Sequence, residues 1–148
     1  MLTEKQKQGK RNKASGRNFE LKVRKDLELK RWIVLKNPNN VIDQQFIQGK
    51  SKYNPFTKRL MMNSGGFPDF ICFKELLTES QNENHEYVLG YEIIGVECKG
   101  GDEKHKYLDK EEKEKCKWLL KNVFQKILIA NKIKKGRKVI IKYKEIKL

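Results

Sequence analysis

The chain has 148 residues and a formal net charge of +15, from 34 Lys or Arg against 19 Asp or Glu. This length fits a single domain, commonly about 100–150 residues, and excludes a large multidomain assembly. Apolar residues make up only 37% of the chain, against roughly 45–50% in ordinary globular domains, so we expect a small core beneath a cationic surface that attracts nucleic acid or another polyanion.

The first half of the chain predicts a basic arm, a helix, a strand and a long insertion. Residues 1–14 alternate lysines with polar residues, which favours a flexible basic arm. Phe19, Val23 and Leu27 recur at helical spacing and predict a helix over residues 17–30, with Ser15 as its cap. Residues 31–36 are rich in β-formers and predict a strand. Residues 37–63 predict a long loop or insertion, with room for short ordered pieces.

The second half predicts strands around one helix. A turn at 64–69 leads into a strand at 70–73, an acidic tip follows at 78–86, and a second strand region covers 87–99, with Gly90 and Gly95 as candidate break points. Asp109 and Glu112 form a capping box that opens a helix with Cys116, Leu119 and Leu120 facing inward. Strands at 124–133 and 139–143 complete a single domain, 1–148. The fold class is therefore α/β (α+β), with a central mixed sheet of about five strands flanked by helices.

The charge is distributed unevenly along this order of elements. Residues 1–31, 32–68 and 104–148 carry net charges of +7, +4 and +11, whereas residues 69–103 carry −7. A non-catalytic binder gains nothing from acidic groups on the face that meets nucleic acid. A metal-dependent enzyme acting on phosphates needs carboxylates there. The acidic stretch is therefore where catalytic residues are expected.

Within the acidic stretch, Asp69 opens one strand, and Glu97 and Lys99 end the next. Because alternate residues of a strand share a face, Glu97 and Lys99 project together, and in a hairpin Asp69 would lie beside them. Glu20 would add a third carboxylate if the first helix packs over this hairpin. Such carboxylates suit Mg²⁺, and a nearby ammonium group can orient water or stabilise a transition state.

The run Gly66-Phe67-Pro68-Asp69 followed by Glu97-Cys98-Lys99 resembles the PD-(D/E)XK nuclease superfamily. The short chain, the basic arm and the Glu20 helix are most similar to the archaeal-type Holliday junction resolvases. Residues 14–36 and Tyr107-Leu108 also resemble that family, so the likeness covers roughly two-thirds of the chain. The resemblance implies a restriction-endonuclease-like core of αβββαβ order, a Mg²⁺-dependent endodeoxyribonuclease that cuts four-way junctions, and a homodimer.

The resemblance also implies roles for individual residues. Glu20, Asp69 and Glu97 would be the catalytic acids and would bind the metal together with the Cys98 backbone carbonyl, and Lys99 would be the catalytic lysine. Mg²⁺ would be the cofactor, with Mn²⁺ as a substitute, and branched DNA the partner. DNA contacts are expected from cations of the basic arm, the insertion and the segment after Lys99: Lys10, Arg11, Lys13, Arg17, Lys58, Arg59, Lys104 and Lys106.

Two departures from the resolvase pattern bear on junction selectivity. Residues 37–40 and the insertion stand where resolvases often have a small loop containing Ser or Gly, and Glu112 falls about where a Gln is common. The virus-type replication-repair (VRR-NUC-like) nucleases share the Gly-x-Pro-Asp and Glu-x-Lys elements, and Lys58-Arg59 fits them as well. Their activity on other branched or flap DNA is therefore an alternative expectation.

Simpler readings of the same residues stay open. Glu97 and Lys99 would also suit a same-face salt bridge on a solvated sheet edge, and Glu20 would suit an exposed helical pair with Arg24. The corresponding alternative function is a non-catalytic nucleic-acid-binding module whose acidic stretch is only surface.

Cysteine usage and hydropathy indicate the compartment. Cys72, Cys98 and Cys116 are scattered singly, and with only two histidines there is no disulfide framework or zinc motif. The longest apolar run is about four residues, against the roughly 20 needed to cross a bilayer, and residues 1–5 lack the apolar region of a signal peptide. We expect an intracellular, cytoplasmic protein without a membrane partner, encoded by a cell, a virus or a phage.

Overall fold

The structure is a computed structural model that describes residues 3–62, 65–79, 87–100 and 107–147. In this part of the chain the elements follow the predicted order, with additional short strands in the insertion. They are α1 (Glu4–Leu29), β1 (Ile33–Lys36), β2 (Asn40–Ile42), β3 (Gln45–Ile47), β4 (Ser51–Asn54), β5 (Arg59–Met62), β6 (Phe70–Glu79), β7 (Tyr87–Lys99), α2 (Lys110–Asn122), β8 (Lys126–Lys135) and β9 (Lys138–Glu145).

Five strands form one mixed sheet in the order β1-β6-β7-β8-β9. The β1–β6, β6–β7 and β8–β9 pairs are antiparallel. Strands β7 and β8 are parallel, since α2 returns the chain to the start of the next strand as a crossover. The predicted mixed sheet of about five strands and the α/β class are confirmed. Strand β7 runs unbroken through Gly90 and Gly95.

The two helices cover opposite faces of this sheet. Helix α1 buries Phe19, Val23 and Leu27 against a cluster that includes Cys72 and Val96. Helix α2 buries its inward residues against the other face, in a cluster formed by Val41, Phe67, Leu108, Cys116, Leu119, Phe124, Ile127 and Ile129. Because side chains alternate along β7, Val96 faces α1 whereas Glu97 and Lys99 face α2.

Helix α1 begins earlier than the sequence pattern predicted, which corrects the expectation of a flexible arm over 1–14 and of Ser15 as the cap. The N-cap is Thr3, whose side chain accepts a hydrogen bond from the Gln6 amide, while the Gln6 side chain accepts one from the Thr3 amide. This capping box satisfies amides that a helix start otherwise leaves unpaired. The Lys, Gln, Glu and Arg residues that follow are good helix formers, so the helix extends without an apolar face there.

The described part of the predicted insertion at 37–63 contains four short strands, β2 to β5, as ordered pieces of the kind for which the prediction left room. Strands β2 and β3 form one two-stranded sheet, and β4 and β5 form another. The β2–β3 turn places Asp43 and Gln44 at positive φ, the geometry of a tight hairpin turn. This hairpin packs on α2, where Phe46 stacks on Trp118 at 6.5 Å between ring centroids.

Two further expectations concern the middle of the chain and the membrane. Residues 80–86 of the predicted acidic tip lie outside the described residues. Neither of the helices described combines the length and the apolar character that crossing a bilayer requires.

Candidate active site

Strand pairing brings three separate segments together at one end of the strands of the sheet. Lys36 ends β1 and pairs in register with Phe70, the first residue of β6, so it lies beside Asp69. Phe70 in turn pairs with Val96 of β7, one residue before Glu97. The antiparallel order of these strands therefore places the end of β1, the start of β6 and the end of β7 next to one another.

The carboxylates of Asp69 and Glu97 each accept a hydrogen bond from a backbone amide of the neighbouring segment. The Cys98 amide donates to Asp69 Oδ2 at 2.8 Å, and the Asp69 amide donates to Glu97 Oε2 at 3.2 Å. Glu97 is only 8% exposed, which is at odds with a salt bridge on a solvated sheet edge. The structure thus brings together Asp69, Glu97 and the Cys98 backbone, as the sequence pattern predicted.

Lys36 joins this cluster although no sequence motif pointed to it. Its Nζ donates to Glu20 Oε2 at 2.7 Å and to Asp69 Oδ1 at 3.1 Å. Glu20 is therefore brought to Asp69 through one shared cation, and Arg24 pairs instead with Glu28. The only sequence signal for Lys36 was its place at the end of a predicted strand. The β1–β6 register shows that this strand end lies beside Asp69.

Lys99 is held on the α2 side by two carboxylates. Its Nζ donates to Glu112 Oε1 at 2.5 Å and lies 3.4 Å from Glu97 Oε1. The other oxygen of Glu112, Oε2, accepts from the Asp109 amide at 3.0 Å in the capping box of α2. The capping box that begins α2 therefore also fixes the Glu112 carboxylate, which orients Lys99.

The electrostatics of the cluster show a shortage of positive charge. Four carboxylates, from Glu20, Asp69, Glu97 and Glu112, meet two ammonium groups, from Lys36 and Lys99. Burial, together with repulsion from Asp69 and Glu112, raises the pKa of Glu97 to about 8 despite the nearby Lys99. Burial acts to lower the lysine pKa values, but the adjacent carboxylates outweigh it and raise them.

The connection that precedes Asp69 is fixed by a buried amide. Asn37 is 1% exposed; its Nδ2 donates to the Pro68 carbonyl at 2.8 Å, and its backbone amide donates to the Asp69 carbonyl at 2.9 Å. Gly66 crosses so close to Asn37 that a Cβ would collide with the Asn37 carbonyl oxygen. The Phe67–Pro68 peptide bond is cis. These contacts set the position from which the Asp69 carboxylate projects.

The predicted DNA contacts fall into three groups. Lys10, Lys13 and Arg17 are exposed on α1, and Arg11 lines a cavity of about 380 Å³ between α1 and β8–β9, together with Ser15, Lys22 and Lys132. Lys58 and Arg59 are exposed on the β4–β5 hairpin. Lys104 and Lys106 lie outside the described residues.

The carboxylates suit a divalent cation by chemistry and charge. Within the described ranges no three Asp, Glu, His or Cys side chains converge closely enough to ligate one ion. The Lys36 ammonium nevertheless shows that Glu20 and Asp69 can share one cation. Carboxylate oxygens are also the ligands that Mg²⁺ prefers. Glu20 and Asp69 are therefore the residues whose oxygens could hold a hard divalent cation in the place that Lys36 Nζ occupies.

No family model matches the chain, and neither a curated protein nor a solved structure matches it.

Proposed function

We propose that the protein is a Mg²⁺-dependent endodeoxyribonuclease of the PD-(D/E)XK type, selective for branched DNA and most of all for four-way junctions. The observation that carries this proposal is the hydrogen-bonded Asp69–Glu97 pair with Lys99 beside it, in a cluster that lacks two positive charges. The strand order around the pair also supports it, since an antiparallel β1-β6-β7 unit followed by α2 and a parallel β8 is compatible with an αβββαβ core.

The proposed roles follow from the position of each residue. Asp69, Glu97 and the Cys98 carbonyl would hold Mg²⁺ or Mn²⁺, with Glu20 as a further ligand. The bound ion would lower the pKa of water and offset the charge that develops on the phosphate. A cation bound beside Glu97 would oppose the repulsion that raises its pKa and would favour the ionised carboxylate.

The two lysines would act on the substrate from opposite sides of the sheet. Lys99, oriented by Glu112, would position the attacking water and stabilise negative charge at phosphorus. Lys36, released from Glu20 and Asp69, would be free to pair with a phosphate oxygen. The net charge of +15 would hold the DNA backbone through many phosphate contacts.

A homodimer is part of the proposal. A four-way junction has near two-fold symmetry and needs two cuts, and a C₂ dimer presents two equivalent sites. The proposed selectivity is for the structure of the DNA and not for its base sequence. Flap DNA and other branched DNA are the substrates of the alternative, VRR-NUC-like activity.

A non-catalytic binding module is the second candidate, and one observation favours it. Each of the four carboxylates in the cluster already has a protein partner, either an ammonium group or a backbone amide. In such a module the cluster would be a structural charge network that joins α1, the sheet and α2.

An assay on three labelled DNAs separates these candidates. A four-way junction, a flap and a linear duplex would each be incubated with Mg²⁺ and either wild type or Asp69→Ala, with Glu114→Gln as a surface control. We expect wild type and Glu114→Gln to cut the junction preferentially, and Asp69→Ala to bind it without cutting. Preferential cutting of the flap would favour the VRR-NUC-like activity, equal cutting of all three would refute structure selectivity, and no cutting by wild type would favour the binding module.

A further inference from the structure

The hairpin formed by β4 and β5, residues 51–62, is a separate two-stranded ribbon with a large exposed apolar surface. Phe56 at its tip is 95% exposed, Leu60 is 72% exposed and Tyr53 is 61% exposed. Contiguous apolar groups of this kind on a small protein usually mark a surface that binds a partner.

The charge of the surrounding chain identifies the kind of partner. Between Asp43 and Asp69 the sequence contains no acidic residue and four basic residues, Lys50, Lys52, Lys58 and Arg59. Cations combined with exposed aromatic rings suit nucleic acid, since the cations meet phosphates and the rings stack on bases. An apolar protein partner would not require this exclusion of acidic groups.

The two cations within the strands of the ribbon, Lys52 and Arg59, lie on a different face from Tyr53 and Leu60. In the β4–β5 register, Lys52 pairs with Met61 and Asn54 with Arg59, whereas Tyr53 pairs with Leu60. Since side chains alternate along a strand, Lys52 and Arg59 share one face, and Tyr53 and Leu60 share the other. The ribbon therefore offers one cationic face and one apolar face, joined at a tip that carries Phe56.

The turn at the tip holds Phe56 in place. The Asn54 side-chain oxygen accepts hydrogen bonds from the amides of Phe56 and Thr57, at 2.9 Å and 3.3 Å, and Lys58 closes the turn at positive φ. An ordered turn lowers the entropy that a binding side chain loses when it meets its partner.

Both ends of the hairpin are anchored at the edge of the sheet that carries Asp69. The Gly49 amide donates to the Asn39 side-chain oxygen at 3.1 Å, and the Asn40 side chain donates to the Gly65 carbonyl, also at 3.1 Å. Asn39 and Asn40 lie two and three residues after Asn37, whose backbone amide donates to the Asp69 carbonyl. Strands of four residues rise about 3.4 Å per residue, so the tip stands about 14 Å from the base of the ribbon, or about four base-pair steps.

We propose that the β4–β5 hairpin engages the bases at the branch point of DNA, with Phe56 stacking where the regular base stack is interrupted. This inference rests on the proposed function, because it supplies the contact by which the same site would distinguish a junction from a duplex. In a continuous duplex each base is already stacked on both sides, so Phe56 would have to unstack a step to make the same contact.

The test measures binding without cleavage. Fluorescence anisotropy in metal-free buffer would compare a four-way junction with a linear duplex for wild type, Phe56→Ala and Phe56→Trp, with Tyr91→Ala as the control for loss of an exposed aromatic residue. We expect Phe56→Ala to weaken junction binding at least fivefold, to about the affinity for duplex, while its duplex affinity changes less than twofold. Phe56→Trp and Tyr91→Ala should keep the junction preference.

Two results would overturn the inference. One is unchanged junction binding by Phe56→Ala, or an equal loss on junction and duplex. The other is conversion of a dimer to a monomer by Phe56→Ala in sedimentation, with junction binding per protomer retained, which would make the hairpin a contact between copies of the chain. Because no cleavage is measured, failure of the nuclease proposal would leave this result readable on its own.

Discussion

Lys36 and Lys99 approach the carboxylate cluster from opposite faces of the sheet. Lys36 bridges Glu20 of α1 and Asp69, whereas Lys99 lies between Glu97 and Glu112 of α2. Their surroundings differ in a way that separates their proposed roles. Lys36 stands where a cation shared by Glu20 and Asp69 would lie, while Lys99 is held to one side by a carboxylate that the α2 capping box fixes.

Replacing Lys99 with Ala removes the ammonium group that would act on water and on the phosphate. Single-turnover cleavage of a four-way junction should fall by about 100-fold or more, while junction affinity and far-UV circular dichroism stay close to wild type. Lys113→Ala, an exposed lysine of the same helix that carries Glu112, is the control. Near-wild-type cleavage by Lys99→Ala would show that Lys99 has no catalytic role.

Replacing Lys36 with Met removes the protein cation that competes with a metal ion for Glu20 and Asp69. Thermal unfolding with and without Mg²⁺ should show a larger metal-induced rise in Tm for Lys36→Met than for wild type, by about 2 °C or more. Lys126→Met, which breaks the Lys126–Glu92 pair elsewhere on the sheet, should leave the metal-induced rise unchanged. Equal rises in all three proteins would contradict the idea that Lys36 and the metal share one place.

At the scale of elements, two connections hold the site in shape. The first is the crossing of Gly66 over Asn37, which joins the end of β1 to the start of β6. The second ties α1 to the far edge of the sheet, where Tyr143 of β9 donates a hydrogen bond to Asp26 at 2.7 Å and Lys30 pairs with the same carboxylate. Because Glu20 lies on α1, its distance from Asp69 depends on how that helix packs on the sheet.

Gly66→Ala should disturb the first connection, because its Cβ would collide with the Asn37 carbonyl. The free energy of unfolding, measured with urea, should fall by about 1–3 kcal/mol, and cleavage should fall with it. Gly65→Ala is a closely matched control, since a Cβ there meets nothing within 4 Å. Similar stability of the two variants would contradict the close approach.

Tyr143→Phe should weaken the second connection by removing the hydrogen bond to Asp26. The free energy of unfolding should fall by about 1 kcal/mol at neutral pH. Burial acts to raise the pKa of Asp26, but the hydrogen bonds from Lys30 and Tyr143 outweigh it and hold the pKa below 3.8. This contribution is present above pH 3.8 and is lost as pH falls through the folded-state pKa. The difference from wild type should therefore shrink in acid, and a constant difference down to pH 2 would contradict this assignment.

Sequence periodicity predicted the elements whose side chains divide clearly between core and solvent. Phe19, Val23 and Leu27 gave α1 its buried face, and the apolar run before Glu97 gave β7. The start of α1 was missed although Thr3 and Gln6 have capping-box spacing, because the residues that follow carry no apolar period. The β2–β3 hairpin was missed because its turn uses Asp43 and Gln44, neither of which is the glycine that usually marks positive φ.

The candidate site was predictable only where a residue type carried a motif. Asp69, Glu97 and Lys99 could be found from their spacing around two strands, and the structure brings them together. Lys36 could not, because a strand-terminal lysine is unremarkable in a chain with 34 Lys or Arg. Its role depends on the β1–β6 register, which local sequence does not specify. The second contact of Glu112, to Lys99, likewise depends on how α2 packs on the sheet.

Across the whole molecule, the positive charges and the acidic cluster occupy different parts of the structure. Exposed cations lie along the first half of α1 and on the β4–β5 hairpin, while the carboxylates gather at the strand ends between α1 and α2. Long-range attraction would bring a polyanion to the surface. The cluster would then repel phosphate unless a cation neutralised it, so tight approach of the backbone to Asp69 and Glu97 would require a metal ion.

We propose that this cluster cuts DNA when it holds a divalent cation. The most direct measurement is single-turnover cleavage of a labelled four-way junction by wild type and Glu97→Gln, each with Mg²⁺ or with EDTA, and with Glu114→Gln as the control. We predict cleavage by wild type and Glu114→Gln with Mg²⁺ only, and cleavage at least about 100-fold slower by Glu97→Gln, although it still binds the junction. No cleavage by wild type, or equal rates for wild type and Glu97→Gln, would show that Glu97 and a divalent cation do not catalyse DNA cleavage in this cluster.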